Sequence, residues 1–247
     1  MAPILGIIPS RFGSTRFPAK ALAEINGKSM VQRVYEQSKK STLLTDVVVA
    51  TDHLQIYEHV LSFGGKVVMT DEKHASGTDR CAEAFTKLNE NFDFVINIQG
   101  DEPFIKPEQI DELASILVSN IELATLVLKI NDNEAIQSAN TVKVAINTKN
   151  EALYFSRNPI PFVRNFSKNE WGQHQTFLRH IGIYAYRADI LMKVTNLSTS
   201  SLELAESLEQ LRWLENGYKI TVKETKYESF GIDTPEDLEK ILAMGIK

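Results

Sequence analysis

The sequence predicts an α/β protein that is built on a doubly wound, mostly parallel sheet and carries a smaller lobe with a mixed sheet. Two observations support this fold class. In the first half, short apolar runs alternate with segments of helical periodicity, which favours parallel strands joined by right-handed helical crossovers. After about residue 118, strand-like runs follow one another with few helices between them. We therefore expect one domain, 1–247, in which a main part of about 1–118 and 225–247 carries a lobe of about 119–224.

The strands expected in the first half are apolar and rich in β-branched residues, as in a sheet that is covered on both faces. They are residues 4–9, 47–51, 66–69 and 94–98. The helices expected between and after them are residues 30–39, 54–63, 78–88 and 107–117. The last of these has Pro107 in its first turn and apolar residues at helical spacing.

The second half of the sequence predicts a different order of elements, with consecutive strands and few helices. Strands are expected at residues 122–129, 142–147, 152–156 and 219–223. Residues 166–176 are polar and irregular, and they predict a mobile loop. A single helix is expected at 202–216, and the last helix is expected to begin at Pro235 with Thr234 as its N-cap.

Composition narrows the class of protein. The net charge of -5 argues against a nucleic-acid or anionic-membrane partner, because the required basic excess is absent. The apolar segment 4–8 is too short to span a bilayer and has no basic flank, so it predicts neither a membrane helix nor a signal peptide. A single cysteine, Cys81, cannot form an internal disulfide, which agrees with a reducing compartment. We therefore expect a cytoplasmic protein without membrane or nucleic-acid partners.

The loop after the first strand carries unusual positive charge. Residues 11–20 contain Arg11, Arg16 and Lys20 together with two hydroxyl side chains and Gly13. Ligands of open α/β sheets bind outside the carboxyl ends of the strands, and these cations and loop amides suit phosphate oxygens. The loop matches neither a Walker A motif nor a dinucleotide fingerprint. It predicts a phosphate site, and the alternative is an ordinary solvated loop.

Two acids follow apolar segments and are candidates for a metal site. Asp101 follows the strand at 94–98, and Asp233 follows Phe230-Gly231-Ile232. Mg²⁺ prefers one or two carboxylates, with phosphates and water completing its shell. Each acid also has a local alternative, as a turn residue before Pro103 or as a helix cap. Together with the basic loop they predict a site for Mg²⁺ and a nucleoside triphosphate.

Several segments carry a more specific resemblance. Residues 8–20 (IPSRFGSTRFPAK), 97–103 (NIQGDEP) and 231–237 (GIDTPED) resemble the signatures of the sugar nucleotidyltransferases, and most closely the CMP-Kdo synthetase family. Similar segments occur in the same order at 50–53, 74–80, 152–157, 178–187 and 208–212, so the resemblance covers essentially the whole chain. It implies a nucleotide-diphospho-sugar transferase-like variant of the Rossmann fold. It also implies Mg²⁺ as cofactor, a homodimer, and transfer of CMP from CTP to Kdo for lipopolysaccharide biosynthesis.

The resemblance also implies roles for individual residues. The main part would bind the nucleotide through Arg11, Ser14, Arg16, Lys20, Arg80 and Gln99. Asp101 and Asp233 would bind Mg²⁺ and, with Lys20, form the catalytic set, without a protein nucleophile. The lobe would bind the acceptor and form the dimer, with sugar contacts from His180, Tyr184, Tyr186, Glu209 and Gln210, and with Arg157 or Arg164 meeting the sugar carboxylate.

The residues themselves give partial support to this acceptor site. If residues 179–187 form a strand, its period of two places His180, Tyr184 and Tyr186 on one polar, aromatic face, and the alternative is a face packed under a loop. Glu209 and Gln210 lie beside a stripe of leucines in the expected helix, and by themselves they would be predicted as solvated.

The first loop departs from the family pattern at two residues, Phe17 and Ala19, and two alternative functions remain open. The common Leu-Pro-Gly-Lys is replaced by residues 17–20 (FPAK), and alanine disfavours positive φ, so the path of the loop before Lys20 stays open. An enzyme for another acidic sugar, such as sialic acid or an amino analogue of Kdo, is the first alternative. A non-catalytic nucleotide-binding regulator is the second, and Lys20, Asp101 and Asp233 disfavour it.

Overall fold

A computed structural model gives the structure of the chain, and it describes residues 2–13, 16–228 and 230–243. The strands are β1 (Ile4–Ser10), β2 (Glu24–Ile25), β3 (Lys28–Ser29), β4 (Asp46–Thr51), β5 (Val67–Met69), β6 (Phe94–Asn97), β7 (Leu123–Ile130), β8 (Lys143–Ile146), β9 (Ala152–Ser156), β10 (Phe177–Arg187) and β11 (Ile220–Glu224). The α-helices are α1 (Met30–Ser38), α2 (Leu54–Ser62), α3 (Gly77–Leu88), α4 (Pro107–Ala114), α5 (Asn133–Gln137), α6 (Trp171–His174), α7 (Ala188–Val194), α8 (Ser201–Glu206), α9 (Gln210–Glu215) and α10 (Pro235–Ala243). Short 3-10 turns lie at Lys20–Leu22 and Lys168–Glu170.

The chain divides into two compact units. The first unit comprises Met1–Leu117 and Ser229–Lys247, and the second comprises Val118–Glu228. None of the helices in the described part of the chain is both long enough and apolar enough to cross a membrane.

The first unit contains a parallel sheet in the order β6-β1-β4-β5. Strand β1 lies between β4 and β6, and the helices α1, α2 and α3 pack on this sheet. The central strands are buried on both faces, as apolar runs without alternation predict. The α/β fold class is confirmed, and the predicted strands and helices of this half are observed with bounds that differ by at most three residues.

Caps of the expected kind fix the helices around this sheet. The hydroxyl of Ser76 accepts a hydrogen bond from the amide of Asp79 at the start of α3. At the start of α10, Thr234 accepts a hydrogen bond from the amide of Asp237, and the Asp237 carboxylate accepts from the amides of Asp233 and Thr234. The predicted start of the last helix is therefore confirmed, and its cap holds the backbone of Asp233.

The second unit contains a mixed sheet, as predicted. Strand β7 pairs in parallel with β11 and antiparallel with β10, while β8 pairs with both β10 and β9. The prediction of an irregular loop at 166–176 was wrong. This segment contains the second 3-10 turn and α6, because Trp171 is buried against Phe177 and Ile136 and its indole N–H donates to the carbonyl of Phe166 at 3.1 Å.

The prediction of one helix at 202–216 was also wrong. Ser207 adopts a left-handed conformation with φ of 52°, which ends α8 and separates it from α9. The expected leucine stripe is correspondingly broken, since Leu204 is 70% exposed while Leu208 and Leu211 are buried. The break places Glu209 directly before α9 and Gln210 at its first position.

Candidate active site

A cleft of about 340 Å³ lies in the first unit, at the carboxyl ends of β1 and β6 and the start of α3. The predicted nucleotide and metal residues that the structure describes all line it: Arg11, Arg16, Lys20, Arg80, Gln99, Asp101 and Asp233. The remaining predicted residue, Ser14, lies outside the described residues. The parallel sheet explains this convergence, because parallel strands bring the loops at their carboxyl ends to one edge.

Close packing of backbone brings two of these loops together. A Cβ atom on Gly100 would lie 2.6 Å from the carbonyl oxygen of Pro9 and 3.0 Å from the hydroxyl oxygen of Ser10. Only glycine permits this approach of the turn after β6 to the end of β1. The amide of Ile232 also donates to the carbonyl of Asp101 at 2.9 Å. These contacts place the segment before Asp233 beside Asp101.

The end of the basic loop, directly before Lys20, has a defined path despite its alanine. Ala19 has φ of 54° and ψ of 27°, and its amide donates to the carbonyl of Phe12 at 3.2 Å. The left-handed conformation costs a non-glycine residue about 1–2 kcal/mol, so the loop retains this path with some local strain. Phe12 also stacks on His53, with ring centroids 3.7 Å apart. The path left open by the sequence is therefore one in which Ala19 takes the conformation of a glycine.

Lys20 contacts both candidate metal ligands. Its Nζ atom lies 2.8 Å from Oδ2 of Asp101 and 3.3 Å from Oδ1 of Asp233, and Nη2 of Arg16 lies 3.1 Å from Oδ2 of Asp233. Opposite charges therefore alternate across the floor of the cleft. Such a cluster offers cations to phosphate oxygens and carboxylates to a divalent cation.

The donor set fits Mg²⁺. Asp101 and Asp233 approach a common cation, the Lys20 ammonium, so their oxygens converge on one region. Within residues 2–13, 16–228 and 230–243, no cluster of three or more His, Cys, Asp or Glu side chains could hold a metal ion. Two carboxylates completed by substrate phosphates and water are the arrangement that Mg²⁺ usually takes in nucleotide enzymes.

Three further residues in or next to this cleft were not predicted. Asp52 forms an ion pair with Arg80, at 2.8 Å. His74 lines the cleft and contacts the Glu83 carboxylate. Burial by itself raises the pKa of Glu83. Hydrogen bonds from Lys87, the Asp71 amide and His74 outweigh burial and lower this pKa to about 2. Ser10, also in the lining, has a buried hydroxyl for which no partner is found in the described part of the chain. Asp52 and His74 lie within segments 50–53 and 74–80, which resemble the family, and this resemblance could have identified them.

In the second unit, the structure brings together three predicted sugar residues. The pairing of β10 with β7 shifts by two residues between Ile181 and Tyr184. Because this shift is even, His180, Tyr184 and Tyr186 share one face, as the strand pattern predicted. Ring centroids lie 5.1 Å apart for His180 and Tyr184, and 6.2 Å apart for Tyr184 and Tyr186.

His180 is a neutral hydrogen-bonding group near neutral pH. Burial, with a smaller contribution from Arg179, lowers its pKa to about 3. Its Nε2 atom lies 3.1 Å from the hydroxyl of Thr125, which donates to the carbonyls of Ile181 and Ile183. Because that hydroxyl hydrogen is used by a carbonyl, the hydroxyl accepts from Nε2–H. The Nδ1 atom of His180 is then the acceptor of the ring.

Three buried polar atoms on β10 and α9 have no hydrogen-bond partner among the described residues. They are the Tyr184 hydroxyl, Nε2 of Gln210 and the indole Nε1 of Trp213. Trp213 lies edge-on to Tyr184 and Tyr186, with ring centroids at 5.1 and 5.5 Å. Burial raises the pKa of Tyr184, which therefore keeps its proton. Unpaired buried donors cost free energy. The sequence analysis did not single out Trp213.

The other predicted sugar residues differ in their surroundings. Arg157 donates to the main-chain carbonyls of Glu206, Ala139 and Ser207, at 2.7, 3.1 and 3.4 Å. Arg164 is exposed. Glu209 is half-buried beside Gln210. The guanidinium of Arg157 thus holds its own loop to the end of α8, which reduces its capacity to bind a carboxylate.

Comparison with known proteins agrees with this geometry. The profile of the cytidylyltransferase family matches residues 5–220. The chain is 57% identical over 239 residues to the 3-deoxy-manno-octulosonate cytidylyltransferase of Cytophaga hutchinsonii, with 96% of each chain covered. It is 54% identical over 248 residues to the protein of the same name from Parabacteroides distasonis, with 98% of each chain covered. The solved structure of a CMP:2-keto-3-deoxy-manno-octonic acid synthetase complexed with CTP has a TM-score of 0.91 at 41% identity, and covers 99% of this chain and 98% of that one.

A family profile over most of the chain, and relatives above 50% identity across nearly its full length, leave one assignment. The chain belongs to the cytidylyltransferase family, among the 3-deoxy-manno-octulosonate cytidylyltransferases.

Proposed function

We propose that this protein transfers CMP from CTP to the anomeric hydroxyl of Kdo, giving CMP-Kdo and pyrophosphate. The observation that carries the proposal is the cluster of Lys20, Arg16, Asp101 and Asp233 in one cleft of the first unit. A triphosphate requires several cations together, and a metal–nucleotide complex requires carboxylates beside them. Membership of the cytidylyltransferase family supports the choice of CTP.

In this proposal the first unit binds the nucleotide and stabilises the transition state. Arg11, Arg16 and Lys20 bind the triphosphate oxygens, while Arg80 and Gln99 bind elsewhere on the nucleotide. The sugar hydroxyl attacks the α-phosphorus in line, the bond to the pyrophosphate oxygen breaks, and pyrophosphate leaves. Positioning and electrostatic stabilisation dominate such reactions, so no protein nucleophile is needed.

Asp101 and Asp233 are the residues that would hold Mg²⁺. When bound, the ion supplies charge neutralisation on the phosphate oxygens. Lys20 adds a cation that lies within reach of both carboxylates and lines the same cleft. The cationic side chains and the two acids then hold the triphosphate in one orientation.

The second unit supplies the acceptor site in this proposal. A sugar with several hydroxyl groups needs both donors and acceptors, and these are present as Nδ1 of His180, the Tyr184 hydroxyl, and the N–H groups of Gln210 and Trp213. Glu209 directly precedes Gln210, and Tyr186 shares the strand face of His180 and Tyr184. We propose Arg164 as the cation for the sugar carboxylate, since the donors of Arg157 bind main-chain carbonyls.

We also propose that the protein is a cytoplasmic homodimer. The second unit exposes Leu153, Phe162 and Leu204, which the partner chain would cover in this proposal. Light scattering coupled to size-exclusion chromatography tests the dimer, because a mass near 28 kDa would be that of the monomer and would contradict it.

The function is tested by pyrophosphate release with purified protein. Release is expected only when CTP, Kdo and Mg²⁺ are all present, and a chelator should abolish it. Parallel reactions with N-acetylneuraminate and an amino analogue of Kdo test the alternative acceptors. Preference for N-acetylneuraminate would contradict the proposed acceptor, and CTP binding without pyrophosphate release under any condition would indicate a regulator.

A further inference from the structure

We propose that Asp52 is a positioning residue for the nucleotide, acting through Arg80 and through the backbone of the loop that carries Arg11. The inference rests on the proposed function, since it assigns Arg80 and this loop to nucleotide binding. Asp52 itself is not among the described residues that line the cleft, so it acts through groups that do.

The sheet places Asp52 between these two groups. Strands β1 and β4 are parallel neighbours, with Ser10 opposite Thr51, so Asp52 emerges at the same edge as Arg11 and Phe12. One carboxylate oxygen, Oδ1, accepts from the amide of Phe12 at 3.1 Å. The other, Oδ2, accepts from Nη2 of Arg80 at 2.8 Å. A single side chain therefore connects the start of the phosphate loop to the guanidinium of α3.

The pair is buried, so its charges depend on each other. The side chain of Arg80 is 3% exposed and that of Asp52 is 10% exposed. Removing one partner of such a pair leaves an uncompensated charge in a poorly solvated position. Arg80 without Asp52 would then move towards water or draw in a counter-ion, and it would lose its orientation in the cleft.

Neighbouring groups restrict Arg80 from the same side. Its Nη1 atom donates to the hydroxyl of Thr70 at 2.6 Å and to the carbonyl of Asp71 at 3.3 Å. The Thr70 hydroxyl in turn donates to the carbonyl of Thr51 at 3.1 Å. With Asp52, these bonds use three of the five guanidinium N–H groups and fix its plane. The guanidinium is therefore held in one orientation before a ligand binds, and such preorganisation favours tight binding.

The first test is the dissociation constant of CTP, measured by calorimetry without Kdo, for the parent and for Asp52→Asn. Asparagine keeps an oxygen for the Phe12 amide but loses the charge that holds Arg80. We expect CTP to bind roughly tenfold to a hundredfold more weakly, and the KM for Kdo to change little. An unchanged dissociation constant together with a lower Tm would reduce Asp52 to a structural residue and overturn the proposal.

Asp46→Asn is the matched control. Asp46 lies at the opposite end of β4, has a similarly buried carboxylate, and is paired with Lys66 and Lys39. Its loss should lower Tm without changing the dissociation constant of CTP. An equal weakening in both variants would show that any charge lost from β4 has this effect, and would contradict a specific role for Asp52.

The second test is a double-mutant cycle between Asp52→Asn and Arg80→Gln. If Asp52 acts mainly through Arg80, Asp52→Asn should weaken CTP by less than about threefold once Arg80 is absent. Fully additive effects would overturn the proposal.

If Asp52→Asn does not fold, Thr70→Val tests the same guanidinium with a smaller change, and CTP should bind a few-fold more weakly. A parent protein that does not bind CTP would contradict the proposed function itself, whereas a parent that binds CTP and an additive cycle would contradict this inference alone.

Discussion

The two units of this protein present polar groups to ligands in opposite ways. In the first unit, the cleft is built from charged side chains, and Arg16, Lys20, Asp101 and Asp233 are all at least partly exposed. In the second unit, His180 is half-buried and Tyr184, Gln210 and Trp213 are buried, and none of these four side chains carries a charge near neutral pH. The difference matches two kinds of ligand, since a triphosphate brings charge that must be balanced, and a sugar brings hydroxyl groups that must be hydrogen-bonded.

The two arrangements also differ in what they cost the free protein. The charges of the first unit contact one another, and partly exposed ion pairs contribute little to stability. The unpaired atoms of Tyr184, Gln210 and Trp213 each cost about 1–3 kcal/mol, because burial removes their hydrogen bonds to water. Activity and stability should therefore respond differently to substitutions in the two units.

The largest effect is expected for the acids of the first unit. Asp101→Asn and Asp233→Asn should each lower kcat/KM by about 10²–10³-fold, because each removes charge from the phosphate and metal site. The free energy of unfolding should change by less than about 1 kcal/mol, since both carboxylates are partly exposed. Pyrophosphate release and urea unfolding are the two measurements.

Asp111→Asn provides the control for these variants. Asp111 accepts hydrogen bonds from Ser41, Thr42 and Leu43, away from the cleft. Its replacement should lower stability and leave the rate unchanged. A fully active Asp101→Asn protein would show that Asp101 is only a turn residue.

The second unit is expected to lose more activity than stability. Trp213→Phe keeps the aromatic packing but removes the unpaired indole N–H, so the KM for Kdo should rise about tenfold while CTP affinity stays the same. The free energy of unfolding should fall by less than in Trp171→Phe, because both variants leave a cavity but only Trp171 also loses a hydrogen bond. Trp171→Phe is the control, because its indole N–H is bonded to the carbonyl of Phe166, and it should lower stability alone. An unchanged KM for Trp213→Phe would remove this indole from the acceptor site.

Because His180 in the second unit is neutral when folded, the stability of the protein is expected to decrease in acid. Because folding lowers its pKa from 6.5 to about 3, the unfolded chain binds a proton between these pH values that the folded chain does not. Stability should therefore decrease as the pH falls from 6.5 towards 3, by at most about 1.4 kcal/mol per pH unit from this residue. Urea unfolding at pH 7 and pH 5 should show a smaller difference for His180→Gln than for the parent. The exposed His174→Gln should behave like the parent, and equal slopes in all three proteins would contradict the assignment.

The smallest effect is expected at the strained alanine of the first unit. Ala19→Gly should raise the free energy of unfolding by about 0.5 kcal/mol, since relief of the left-handed strain exceeds the added entropy of the unfolded chain. Ala23→Gly, at a residue with φ of -59°, should lower it by about 0.4–1 kcal/mol. Thermal unfolding of the two variants compares them directly. A destabilised Ala19→Gly protein would show that Ala19 is not strained.

The outcome of the sequence analysis also differs between the units. The strands, helices and caps of the first unit depend on apolar runs, helical spacing and capping residues that are local in sequence, and they were predicted with small errors at their ends. In the second unit, the same reasoning extended one helix across Ser207 and placed an irregular segment over Trp171. The left-handed conformation of Ser207 and the burial of Trp171 depend on packing with residues distant in sequence. No local sequence pattern indicates that packing.

The sequence by itself determined the fold class, the basic loop, the two acids and the family, because each depends on residue types at a fixed spacing. Only the tertiary structure decided that Ala19 takes the left-handed conformation, that Asp52 holds Arg80, and that Arg157 binds carbonyls. The same holds for the unpaired N–H of Trp213. The physical reason is that hydrogen bonding and burial depend on partners brought together from 28 to 50 positions apart, as in Asp52 with Arg80 and Arg157 with Ser207.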